Sequence, residues 1–462
     1  MVFLLLLTLG AVGIYNVFKW KDTSGAYFSS MDQMYSLPKN VADVAFFGPS
    51  TVYSDFNPAV FWEESGIASF NAGISSQDRE ASYYFIKEFL KRQSPKVVVL
   101  DATLFQIDHY EVQGNIYRNT LSMRNSKNFT DVVNTIVPDN DKTGTNTLWD
   151  YYLRWPIIHN RYKEIEKNDF VPVPEYEKCL GYRYQYDGNG LEPTDTYFDH
   201  TKITEISEGN KAWIDKVYKL SKEEGFEIVV VQLPQFIDEE QRAEMNGNLK
   251  YLDELGIKNI DLNLYVDEMG FDYVNDMCDG AHAKTSGANK ISSFICKYLS
   301  DNFDLADRRG TAGYGLFDDA AEVNRHEKLC RQIEDCDDPA GLFELIGNGD
   351  GLITLVTLRE GSAGITEEAS AILGEYMSDK AIWSGGGTAV SDNGNVTEIT
   401  GGKAYALKLN KSEYLQVSPI SNGSEHWDKV YFGSTLCEFG SGNFMAVYDK
   451  VLDKLVTVRE IF

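Results

Sequence analysis

The sequence predicts an α/β protein: a doubly wound, mainly parallel sheet, preceded by an apolar N-terminal segment and followed by a smaller α+β domain. Three observations lead there. From Val41 onward, short apolar runs alternate with amphipathic helical stretches. Such alternation implies strands joined by helical crossovers. After Leu299 the alternation stops and turn-rich, strand-like segments take over. Before it, Val2–Phe18 is a nearly unbroken apolar run without charge.

The strand-like runs are Val41–Phe47 (VADVAFF), Ala68–Gly73 (ASFNAG), Lys96–Ala102 (KVVVLDA), Glu227–Pro234 (EIVVVQLP) and Lys258–Asn263 (KNIDLN). Between them lie helical stretches. Glu80–Arg92 sets Tyr84, Phe85, Phe89 and Leu90 on one side and is broken by Ser94-Pro95. Ala212–Glu224 repeats Trp213, Val217 and Leu220, and Leu249, Leu252 and Leu255 mark another helix that stops at Gly256. A chain of 462 residues exceeds one ordinary core. The division read from the pattern is an apolar anchor over 1–20, an α/β domain over 40–305, a linker over 306–339 and an accessory domain over 340–462. Residues 103–210 have weaker periodicity and read as an insertion over the sheet edge, where substrate-facing loops of α/β enzymes sit.

In the accessory domain, Gly351–Leu358, Ala404–Leu409 and Tyr414–Pro419 read as strands, Thr366–Met377 as a helix, and Phe444–Phe462 as a hairpin. Few of its residues suit acid–base chemistry.

At the N-terminus, the seventeen residues of this run at about 1.5 Å each just reach across a hydrocarbon core. A single-pass anchor and a signal peptide both fit; no small-x-small cleavage site follows cleanly. Lys19 and Lys21 follow the run instead of preceding it, so the positive-inside rule does not fix its orientation.

Charge narrows the partners. With 43 basic and 70 acidic residues the net charge is −27, and no basic block offsets it. A nucleic-acid phosphate backbone is therefore excluded as a partner, and an anionic polymer needs a local patch or a bound cation. The six cysteines form no C-x-x-C, and no histidine pair is spaced for zinc, so no structural metal is expected. Cys330 and Cys336 are close enough in sequence to be bridged in an oxidising compartment. No Walker or dinucleotide glycine motif occurs.

Serine hydrolysis needs a hydroxyl on a sharp turn, a histidine to take its proton and a carboxylate to orient the histidine. Gly48-Pro49-Ser50 follows the first strand, which puts Ser50 at a strand's carboxyl end, where open α/β sheets bind ligands. Of six histidines, only His282 has an aspartate at i−3, in Asp279-Gly280-Ala281-His282, just ahead of an amphipathic helix with Ile291, Phe294, Ile295 and Tyr298. Ser50, His282 and Asp279 are thus the candidate nucleophile, base and orienting acid. His159 or Arg161, after Trp155-Pro156, are candidates for the substrate cleft, with a helix-end structural role as the alternative. Asp101 and Asp261 close strands and either face the site or cap the next turn.

These blocks resemble the SGNH (GDSL) hydrolase superfamily, with its flavodoxin-like sheet, over residues 40–300. Gly48-x-Ser50 matches the first block and Asp279-x-x-His282 the last. Asn71-Ala72-Gly73 matches the second, which implies that the amides of Ser50 and Gly73, with Asn71, form an oxyanion hole. The third block, Gly-x-Asn-Asp, is replaced by Leu100-Asp101-Ala102-Thr103. That departure, with the apolar N-terminus, resembles the membrane-attached relatives that acylate cell-envelope polymers, such as the D-alanyl transfer proteins of teichoic-acid operons. The resemblance implies an extracytoplasmic, single-pass esterase or O-acyltransferase without metal or organic cofactor. It would act on acyl esters of an envelope polysaccharide or teichoic polymer beside a membrane-bound O-acyltransferase. A non-catalytic polymer-binding or scaffold protein is the alternative. Residues 340–462, through Asn443–Asp449, resemble the interleukin-like epithelial–mesenchymal inducer domain, an unrelated α+β domain being the alternative.

Overall fold

A computed structural model describes residues 2–19, 29–106, 113–140, 146–170, 176–193, 198–347, 349–358, 387–399, 403–422, 425–437 and 443–460. The chain divides into two compact units, Met1–Ala321 and Glu322–Phe462.

The first unit is built on five parallel strands: β1 (Val44–Phe47), β2 (Ser69–Asn71), β3 (Val97–Asp101), β4 (Glu227–Gln232) and β5 (Lys258–Asp261). Their spatial order is β2-β1-β3-β4-β5, so the chain reverses its winding direction between β1 and β3. The inner strands β1, β3 and β4 are buried on both faces, which explains their apolar runs. Ala45, Phe47, Val98, Leu100, Ile228 and Val230 join one cluster with the Arg79–Leu90 and Glu208–Glu224 helices. Val44, Phe46, Val97, Val99, Val229 and Val231 point the other way, onto Ile291, Ile295 and Leu299 of the Thr285–Asn302 helix. Local signals set the helix ends. Asp78 caps Arg79–Leu90 by accepting from the amides of Glu80 and Ala81, and Gly225 ends Glu208–Glu224 in the left-handed conformation.

Part of the region read as an insertion packs on the main core. Its helices Gln113–Leu121 and Lys127–Asn140 bury Ile116, Leu121, Phe129, Val132, Val133 and Ile136 in the same cluster as Ala45 and Val98. The expected linker over 306–339 takes regular structure. It contains a 21-residue helix, Gly315–Asp335, within which the boundary between the two units falls. Phe317, Ala320 and Ala321 at its start are buried in the first unit's core, with Trp62 stacked on Phe317. Apolar burial at one end of a stretch rich in charge is what the composition concealed.

Val2–Phe18 is a 17-residue helix. The anchor expected over residues 1–20 is not supported: among the described residues, no helix is long and apolar enough to cross a membrane.

The second unit carries two antiparallel sheets. One has the order β14-β13-β6-β7-β8, from β6 (Leu352–Leu358), β7 (Gly387–Asp392), β8 (Asn395–Ile399), β13 (Phe444–Asp449) and β14 (Lys454–Glu460). The other has the order β12-β11-β10-β9, from β9 (Tyr405–Lys408), β10 (Tyr414–Asn422), β11 (Glu425–Phe432) and β12 (Thr435–Cys437). Alternate residues of β6 and β13 serve two cores. Ile353, Leu355, Phe444 and Ala446 meet Leu415, Val417 and Val430 of the second sheet; Leu352, Val356, Met445 and Val447 pack with Ile333, Leu342 and Ile346 of the helices. The final hairpin pairs β13 with β14 as the sequence indicates. The helix read over Thr366–Met377 lies outside the described residues. All six cysteines, Cys330 and Cys336 included, are free thiols.

Candidate active site

The carboxyl ends of β1 and β3 approach closely at Gly48. A Cβ there would lie 2.6 Å from Val52 Cγ2 and 2.8 Å from Asp101 Cβ. Only glycine allows the chain to leave β1 this tightly, and Ser50 then opens the short Ser50–Asp55 helix behind Pro49. Asn71, the last residue of β2, clamps that helix: its Nδ2 donates to the carbonyls of Val52 (2.7 Å) and Phe56 (2.8 Å). Asn57 fastens the far end, its amide donating to Ser292 Oγ at 2.8 Å.

The opposing loop is fixed by a narrow turn in which Cys278 N donates to His282 O and Lys284 N to Asp276 O, each at 2.7 Å. Inside it, Asp279 Oδ1 accepts the amides of Ala281 (2.7 Å) and His282 (2.9 Å). The loop thereby holds its own carboxylate. His282 Nδ1 lies 3.0 and 2.9 Å from the Asp279 oxygens, and His282 Nε2 lies 2.7 Å from Ser50 Oγ. Read chemically, Nδ1–H donates to Asp279 and the Nε2 lone pair faces the serine hydroxyl. Burial pushes the Asp279 carboxyl up, but the Ala281 amide and the His282 imidazole outweigh it and hold it below the ordinary range. Asp279 is therefore ionised at neutral pH.

The other candidates are placed differently. The Gly73 amide donates to Asn71 Oδ1 at 3.0 Å, and both Asn71 donor contacts go to backbone carbonyls. Asn71 is thus a structural clamp, and Gly73 is engaged within the fold. His159 Nδ1 contacts Pro156 O at 2.6 Å. Arg161 donates to the carbonyls of Phe18 (2.9 Å) and Lys19 (2.6 Å) and pairs with Asp169 at 2.9 Å. The helix-end role is the one Arg161 fills: it satisfies carbonyls left open where Val2–Phe18 ends. Asp261 pairs with the buried Arg242. Asp101 is at the site, where its carboxylate accepts from Thr51 Oγ1 and from the Thr103 amide (2.9 Å) and hydroxyl (2.8 Å). Burial raises the Asp101 carboxyl despite these hydrogen bonds.

Two supporting residues escaped the sequence reading. Asp55 is fully buried, and its Oδ1 accepts the Ala283 amide at 2.9 Å, which ties the serine helix to the histidine loop. Gln185 donates to Ser54 Oγ at 2.6 Å, and Ser54 in turn donates to Ser50 O at 2.9 Å. Asp55 had one faint signal, an acidic residue inside an otherwise uncharged buried helix. Gln185 had none. Among the described residues no group of His, Cys, Asp and Glu side chains could hold a metal ion.

No family model matches the chain, and no curated protein matches it. Among solved structures, one described as a "putative acylhydrolase" from Bacteroides fragilis NCTC 9343 is 14% identical with a TM-score of 0.30, covering 61% of this chain and 99% of its own. At that level of likeness the reaction class has to rest on the side chains: a serine hydroxyl, an imidazole and an ionised carboxylate aligned in one relay.

Proposed function

We propose that the chain is a serine esterase or O-acyltransferase of the SGNH type. The observation that carries this reading is the continuous Asp279–His282–Ser50 relay at the carboxyl edge of a parallel sheet. Ser50 Oγ attacks the acyl carbonyl while His282 Nε2 takes its proton; the same imidazolium then protonates the departing alcohol. Asp279 holds the ring's tautomer and balances its charge. The amide of Ser50, at the first helical position after Pro49, is the oxyanion donor we assign. Gly73 joins it only if substrate displaces the Asn71 contact. Water or a second alcohol then takes the acyl group, and this choice alone separates hydrolysis from transfer.

The proposed substrate is an acyl ester on an envelope polysaccharide. A net charge of −27 favours a neutral glycan over a phosphate-rich teichoic polymer. An extracytoplasmic location beside a membrane-bound O-acyltransferase belongs to the same proposal, because that is where such polymers are acylated. A non-catalytic scaffold is the second reading, and the engaged Gly73 amide is what favours it. The test is turnover of small acetyl esters and acetylated glycan by the full chain and by Ser50→Ala. The substitution removes one oxygen and no apolar volume, so stability should change by no more than about 1 kcal/mol while turnover falls by several orders of magnitude. Equal turnover in both proteins removes Ser50 as nucleophile.

A further inference from the structure

Two apolar side chains flank the histidine loop and stay open to solvent. Phe236 follows β4 and is 46% exposed; Leu191 is 51% exposed. Both lie over Gly280, one residue past Asp279. A Cβ on Gly280 would sit 3.2 Å from Phe236 Cβ and 3.7 Å from Leu191 Cδ1. The Phe236 amide donates to Gly280 O at 2.5 Å, so its backbone is locked to the loop. Next to it, Gln235 Oε1 lies 3.5 Å from the hydroxyl of Thr103, which follows β3, and Thr103 also bonds Asp101 at the end of that strand.

The chemistry of the proposed reaction decides which half of an ester meets this wall. In acylation the Ser50 Oγ–acyl bond forms and the acyl–alcohol C–O bond breaks. The serine proton moves to His282 Nε2 and from there to the alcohol oxygen. That oxygen must lie within hydrogen-bonding reach of Nε2, so the alcohol half lies on the side of the loop that carries His282. We propose that Phe236 and Leu191 receive the alcohol half of the ester and select alcohols that present an apolar face. Alkyl alcohols and the C–H face of a pyranose ring share that chemistry. The inference rests on the serine-esterase reading and adds a substrate class to it. In transfer, the accepting alcohol enters by the same wall.

The experiment measures kcat/KM of the full chain for ethyl acetate, hexyl acetate, ethyl hexanoate and methyl 6-O-acetylglucoside. Ethanol and hexanol are nearly equal leaving groups, so a difference between their acetates reports contact rather than reactivity. Complete burial of a methylene is worth about fourfold; on a half-exposed wall, four methylenes should give roughly tenfold for hexyl over ethyl acetate. In Phe236→Ala this ratio should fall to about twofold or less, and Phe236→Leu should keep most of it. The glucoside, whose ring contacts the wall, should lose rate in parallel if a sugar face is the natural occupant; if only hexyl acetate responds, the occupant is a hydrocarbon alcohol. A Phe236→Ala effect that follows ethyl hexanoate instead places the acyl chain there and overturns the inference, as does a wild-type hexyl-to-ethyl ratio near one. In both cases esterase activity remains. Absence of turnover on all four esters removes the esterase reading and the wall with it.

Discussion

Replacing Asp55 by asparagine should make stability of the first unit less sensitive to pH. Asp55 is fully buried; burial, and behind it the Asp101 and Asp279 carboxylates, raise its carboxyl well above the ordinary range against the lowering effect of the Ala283 amide. It is therefore neutral in the fold where the unfolded chain carries it ionised. The sign follows directly. The native state binds the extra proton, so this group's stabilisation is complete below the unfolded value near about 4 and is lost as pH rises toward the folded value. Over that window the loss is about 1.4 kcal/mol per pH unit. Asparagine cannot ionise. It keeps the Oδ1 that accepts from Ala283 at 2.9 Å. Its amide nitrogen takes the place of an Oδ2 that already lacks a hydrogen-bonding partner, so the two neutral side chains are nearly equivalent. Urea unfolding of wild type and Asp55→Asn at pH 5 and pH 6 measures the effect. The variant's stability relative to the wild type should rise from the lower pH to the higher one, because only the wild type carries the raised carboxyl. A difference that does not move with pH means that Asp55 is ionised in the native state, and the reasoning fails.

Three further outcomes are expected. Gly73→Ala brings a methyl within 2.8 Å of Tyr53 N and 2.9 Å of Val52 Cβ. It must shift the helix bearing Ser50, and should cut ester turnover at least tenfold with little change in circular dichroism. In the second unit, His326 pairs with the wholly buried Asp449 at 2.6 Å, so His326→Ala should cost about 3 kcal/mol in denaturant unfolding. Burial raises Asp449, but His326 and the Leu452 amide hold it below the ordinary range; its stabilisation is present above about pH 4 and should fade as acid titrates it. Residues 322–462 produced alone should give a dispersed amide spectrum, because both of their cores are internal; a collapsed spectrum counts against it.

The centre of the sheet was legible because it is buried on both faces: β1, β3 and β4 are written as apolar runs, readable without knowing their neighbours. The histidine loop was legible for a different reason. Its Asp279–His282 contact spans three residues, so spacing alone carries it. What stayed hidden depends on distant partners. Asp55 acts on an amide 228 positions away, and no local pattern records that. The helices of 113–140 earn their burial from the sheet, so their mixed composition read as an insertion. Arg161 stayed open between a cleft role and a helix-end role because its carbonyl partners, at Phe18 and Lys19, lie more than 140 positions away. Asn71 and Gly73 were singled out by spacing alone, and spacing does not record that the Gly73 amide donates to the Asn71 side chain.

The most direct test of the central claim is labelling of the full chain by a fluorophosphonate, read by peptide mapping in wild type, His282→Ala and Ser50→Ala. A serine activated by the relay should take one phosphonyl group at Ser50. The rate should fall by about a thousandfold or more in His282→Ala, and no adduct should form in Ser50→Ala. A folded wild-type protein that takes no label, or takes it at another residue, contradicts the assignment of Ser50 as nucleophile.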